Sequence, residues 1–204
     1  VNTLLLITAA GLGLLAFFEP CTIATHTLFA RRANRDTTRS RWRALAQLLV
    51  SRTVLLGAIF GIAAWIGLHT FSAGAAMLML VIIGSIYLVT RKIYLPVPHI
   101  EFFRLLPGHA RLAQGLKLGL TLPACTLPLV AVVGFISAFS RRPDMALLAG
   151  VVFASMFSLP TLWDSTRELG AAHRTFLSKA ALISPYLTAL LLWSGAFLIW
   201  KTGI

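Results

Sequence analysis

Long apolar runs alternate with short polar connections along the whole chain. A bilayer core of ~30 Å needs ~20 apolar residues of helix. Six segments meet that length, at roughly 3–29, 44–68, 75–93, 113–139, 145–163 and 181–200. A β-barrel would instead show ~10-residue stretches of strict alternation. These runs are continuous, so the pattern predicts an all-α integral membrane protein of six transmembrane helices. No soluble domain interrupts it, and residues 1–204 read as a single transmembrane domain.

Composition agrees. Hydrophobic residues make up 58% of the chain and charged residues 12%, against ~25% charged in an average soluble domain. The net charge of +12 would suggest nucleic acid in a soluble protein. Here the cations sit in the connections, so no nucleic-acid partner is expected and the lipid bilayer is. The first run has no positive leader and no clear cleavage site, so no separate signal peptide is expected.

The cations also predict orientation. Arg31, Arg32, Arg35, Arg39, Arg41 and Arg43 follow the first run, and Arg91, Lys92, Arg104, Arg111 and Lys117 follow the third. Arg167, Arg174 and Lys179 follow the fifth. Arg141, Arg142 and Lys201 fall on the other side. The positive-inside rule then puts both termini outside the cytoplasm.

The chain also repeats. A shift of 104 residues lays Ala9, Gly11, Leu12, Leu14, Cys21 and Thr22 on Ala113, Gly115, Leu116, Leu118, Cys125 and Thr126. Three spans per half force the second copy upside down, an inverted repeat of about 1–93 and about 105–204. The informative match is Cys-Thr beside helix breakers. Proline deletes a helical hydrogen bond, so Pro20, Pro123 and Pro128 are expected to break the first and fourth helices. Freed backbone cannot face lipid and marks an interior cavity. At ~1.5 Å per residue, both sulfurs lie very roughly 12–15 Å from the cytoplasmic edge, near the midplane.

Two cysteines do not make a disulfide framework. They are inert small hydrophobes or a working pair. Equal depth and a pseudo-twofold axis allow them to meet, and a disulfide needs Cα atoms ~4.4–6.8 Å apart. The chemistry would be two thiol–disulfide exchanges, one on each side of the bilayer. Both need a thiolate.

These motifs resemble the CcdA family, which shares its module with the transmembrane domain of DsbD. The resemblance spans essentially the whole chain and rests on one proline-flanked cysteine in each of the first and fourth spans. It implies an inner-membrane carrier in a prokaryote that passes electrons from cytoplasmic thioredoxin to extracytoplasmic thioredoxin-like proteins, often for cytochrome c maturation. It implies Cys21 and Cys125 as the redox pair, with Pro20, Pro123 and Pro128 shaping their surroundings and no cofactor. The family's first site usually reads Ser-Pro-Cys-x-x-Pro. Here Glu19 replaces the small residue, Ala24 replaces the second proline, and Ala124 precedes Cys125.

Other polar residues within or beside the spans admit more than one role. Glu19 can exchange protons with the thiols or pair with Arg52. Arg52 is expected to snorkel to the interface. His26 reads as a buried, hydrogen-bonded histidine, with proton shuttling as the alternative. Thr22 and Thr126 flank the cysteines. Asp164 and Glu168 are expected to be solvated, residues 99–106 to form an interfacial amphipathic helix, and Gly57 and Gly61 to permit close helix packing. Scattered histidines and cysteines argue against zinc. The rival function is a soft-metal or small-solute transporter using the same cysteines, although Met77, Met79, Met145 and Met156 form no evident pathway with them. A structural or assembly subunit with inert cysteines is the third class.

Overall fold

Proline decides where the first helix ends. In the computed structural model, which describes residues 2–67, 73–90, 99–108, 112–140, 142–166 and 171–202, α1 (Asn2–Phe17) stops before Pro20 and α2 (Pro20–Arg35) starts on it. The pair is bent by 72°. Pro20 occupies the first helical position, where its missing N–H has no partner to lose. The Phe18 amide closes α1 on the Leu15 carbonyl at 3.0 Å.

The second break is looser. α5 (Gln114–Gly119) gives way to strand β2 (Thr121–Leu122), then a 3-10 turn (Ala124–Thr126) behind Pro123, then α6 (Leu127–Ser140). Pro128 sits second in α6, and the Ala124 carbonyl is taken by the Leu127 amide. Around these broken elements stand α3 (Thr38–Gly67), α4 (Ala73–Thr90), α7 (Pro143–Thr166) and α8 (Ala171–Thr202).

The described residues are predominantly helical. Three helices are long and apolar enough to cross a membrane: Thr38–Gly67, Pro143–Thr166 and Thr175–Lys201. The bent α1–α2 pair makes a fourth if taken as one span, and Met77–Thr90 and Ala124–Ala138 are shorter apolar helices. α3 extends six residues before the apolar run expected at 44, because the Arg41 amide already bonds the Thr37 carbonyl at 2.9 Å.

One expectation is corrected here. The linker at 99–106 is not an α-helix: it forms strand β1 (Ile100–Glu101) and a 3-10 turn (Phe102–Leu105). β1 pairs antiparallel with β2, Ile100 opposite Leu122 and Glu101 opposite Thr121, and the Phe102 amide reaches the Leu120 carbonyl at 3.0 Å. The extended backbone freed at the Pro123 break supplies the partner. Pro96 and Pro98 lie outside the described residues.

Packing runs α3 on α7, α4 on α8, α1 on α7, and α5 and α6 on α3. At the α3–α7 crossing the backbones nearly touch: a Cβ on Gly150 would lie 2.5 Å from the Gly57 Cα. The core holds Phe17, Phe60, Phe153 and Phe157, all fully buried. The outside is apolar too, with Val54, Trp65, Leu182 and Leu190 more than half exposed. Buried polar groups gather inside instead: Arg52, His26, Thr22, Ser158 and Thr161 are all fully buried. A soluble protein has the reverse pattern, and apolar patches this extensive need an apolar neighbour.

Candidate functional site: a cysteine pair between two helix breaks

The two breaks face each other, and a disulfide joins them. Cys21 and Cys125 are bonded, with Cα atoms 6.8 Å apart across 104 residues of sequence. Cys21 is the second residue of α2, directly after Pro20. Cys125 lies in the 3-10 turn that runs into α6 behind Pro123. Cys125 thus sits in the 3-10 turn that precedes α6, and Cys21 in the first turn of α2, where unpaired amides and the helix dipole favour negatively charged sulfur. That is the form of sulfur that attacks a disulfide. Both cysteines are half-buried, so the pair is held by packing yet still reachable.

The threonines play unequal parts. The Thr22 hydroxyl lies 3.7 Å from the Cys125 sulfur, crossing from one half of the chain to the other. The Thr126 hydroxyl instead donates to the Pro123 carbonyl at 2.8 Å, pinning the break that holds Cys125. The Thr25 hydroxyl donates to the carbonyls of Cys21 and Thr22 at 3.1 and 3.0 Å.

Glu19 occupies the N-cap position of α2 but makes no capping bond with its side chain. It is 5% exposed and lines a cavity of about 370 Å³ with Phe18, Pro20, Ser178, Ser184 and Pro185. Tyr87, buried on α4, lies within electrostatic reach of its carboxyl.

Arg52 does not snorkel. It is fully buried, and its guanidinium donates to the Ser158 hydroxyl at 3.1 Å and the Leu118 carbonyl at 3.3 Å. The Nη2 atom also meets His26 Nε2 at 3.2 Å, and the guanidinium stacks over the Phe157 ring at 4.2 Å. His26 Nδ1 in turn hydrogen-bonds the Thr161 hydroxyl. Arg52 thus sits in a cradle of hydroxyl, carbonyl, imidazole and aromatic ring, and the buried, bonded histidine is present. A guanidinium forks between several acceptors at once, which fixes α2, α3, α5 and α7 to one point. Asp164 is also corrected: it is 2% exposed rather than solvated. Glu168 lies outside the described residues.

Sequence reading missed Ser158, Thr161, Tyr87 and His99. The His99 Nδ1 accepts the Ala124 amide at 3.4 Å, one residue before Cys125, because β1 carries it there. Ser158 and Thr161 did leave a signal: polar residues three apart inside an apolar run share a helix face. Set beside models of protein families, curated proteins and solved structures, the chain matches none of them.

Proposed function

We propose that this chain is a membrane thiol–disulfide electron carrier, of the kind its resemblance to the CcdA family implies. In this reading the six apolar segments are two inverted three-helix repeats, and the sulfur pair lies on the pseudo-twofold axis near the midplane. The carrying observation is the Cys21–Cys125 disulfide, which joins matching positions of the two halves. The packing supports it. α3 lies on α7 and α4 on α8, each a contact between equivalent elements. α1 on α7 is answered by α5 on α3, and α2 on α7 by α6 on α3.

The chemistry is two exchanges. A thiolate of a cytoplasmic dithiol, thioredoxin, attacks one sulfur of the pair and forms a mixed disulfide while the other sulfur leaves as thiolate. The donor's second thiol resolves that bond and departs oxidised, leaving Cys21 and Cys125 reduced. The same two steps in reverse reduce a thioredoxin-like protein outside the inner membrane, a supply that suits cytochrome c maturation. Both termini lie on that outer side. The N-terminus of α2 favours a leaving thiolate on Cys21, and the polar interior lets charge form away from lipid.

The test mixes purified protein with reduced thioredoxin and alkylates free thiols. The internal disulfide opens in the wild type. Under mild oxidation, Cys21→Ser and Cys125→Ser each form a stable mixed disulfide with a thioredoxin lacking its resolving cysteine. Stoichiometric Cu(I) binding lost in either variant, with no exchange, would identify a soft-metal transporter instead.

A further inference from the structure

Thiol–disulfide exchange at a buried pair leaves a thiolate that needs a proton, and the structure offers a source for one half of the pair. Glu19 precedes Cys21 by two residues across Pro20. Its carboxyl leaves the helix N-terminus uncapped and instead lines the cavity against α8, whose wall contributes Ser178 and Ser184. The cavity, about 370 Å³, has room for several waters. The buried Tyr87 hydroxyl lies within electrostatic reach of the same carboxyl.

We infer that Glu19, with its cavity, is the proton donor and acceptor for the Cys21 sulfur, and that Tyr87 positions its carboxyl. This rests on the carrier reading above. In the inward exchange the donor thiolate attacks Cys125 Sγ, the Cys21–Cys125 bond breaks, and its electron pair leaves on Cys21. The Glu19 carboxylic proton passes to that sulfur, directly or through one water. This gives a Cys21 thiol and a Glu19 carboxylate, which stays ionised until delivery. The donor's second thiol releases Cys125 and carries away the oxidised donor. In delivery the Glu19 carboxylate takes the Cys21 proton as that sulfur attacks an oxidised acceptor. Among the described residues, Tyr87 on α4 lies within electrostatic reach of Glu19, Cys21 follows it by two residues on α2, and the cavity lining adds the hydroxyls of Ser178 and Ser184.

The experiment follows opening of the internal disulfide by dithiothreitol between about pH 5 and 9, quenched by acid and read by maleimide gel shift. The ratio of Glu19→Gln to wild-type rates removes the ionisation of dithiothreitol itself. A carboxylic acid donates only while protonated. The ratio is therefore expected to fall to about one hundredth at low pH and to rise toward one as the wild-type carboxyl ionises. Glu19→Asp keeps the wild-type pH shape, and Tyr87→Phe displaces its midpoint. A flat ratio, or Glu19→Asp behaving like Glu19→Gln, overturns the inference and leaves the carrier intact. A wild-type protein whose two sulfurs never bond overturns both.

Discussion

Arg52 is a fully buried cation, and its neighbours show how that burial is offset. Ser158, His26, the Leu118 carbonyl and the Phe157 ring all address the guanidinium. Arg52→Met keeps much of the volume but strands those acceptors, each a buried polar group without a donor. The expected destabilisation is about 2–4 kcal/mol, measured by denaturant titration in mixed micelles. Arg52→Met with Ser158→Ala recovers part of it, since removing both partners of a buried bond costs less than removing one. Thr22 makes a sharper point about chemistry. Its hydroxyl is placed to donate to the Cys125 sulfur. Thr22→Val removes that donor at nearly constant shape. A bond of about 1 kcal/mol predicts a roughly fivefold slower alkylation of Cys125 in the reduced protein. Thr126→Val, which loses only the bond to the Pro123 carbonyl, affects stability more than alkylation rate.

At the level of elements, glycine and proline set the geometry, and they do so by different means. Gly150 on α7 faces Gly57 on α3 so closely that a Cβ there meets backbone at 2.5 Å. Gly150→Ala therefore forces α3 and α7 apart and costs about 1–3 kcal/mol. Gly74→Ala on α4 meets nothing within 4 Å and serves as a neutral control in the same unfolding assay. The breaks at Pro20 and Pro123 were legible in the sequence, because a missing amide N–H is a local property that needs no knowledge of the fold. The cysteines were legible for the same reason, lying one and two residues beyond those prolines. The β1–β2 ladder was not. Two-residue strands carry no hydrophobic period, and β1 forms only because the Pro123 break leaves extended backbone beside it. Nor was the Arg52 cradle legible: Arg52 and Ser158 lie 106 residues apart, and nothing local in either run names the other. Glu101 and Arg104 misled in the opposite direction. Their spacing suits a helix face, yet they pair across a 3-10 turn.

For the whole molecule, the decisive feature is the inversion of the usual polar arrangement, with charge and hydroxyls inside and apolar side chains outside. Such a surface suits a lipid surround, and the one covalent cross-link joins the two broken elements inside it. If the two halves run antiparallel about that link, the protein presents related machinery to both sides. Chemistry alone would then set the direction of flow, through the potentials of the thiols on each side. Vesicles reconstituted with uniformly oriented protein test this. With an impermeant dithiol outside and a disulfide reporter enclosed, the enclosed reporter is reduced. Exchanging the two solutions reverses the flow without changing the protein. The double variant Cys21→Ser, Cys125→Ser abolishes both, while Gly74→Ala leaves both unchanged. A carrier that worked with its sulfurs removed would place electron transfer elsewhere in the bundle. One that conducted from a single face would break the symmetry on which the midplane site depends.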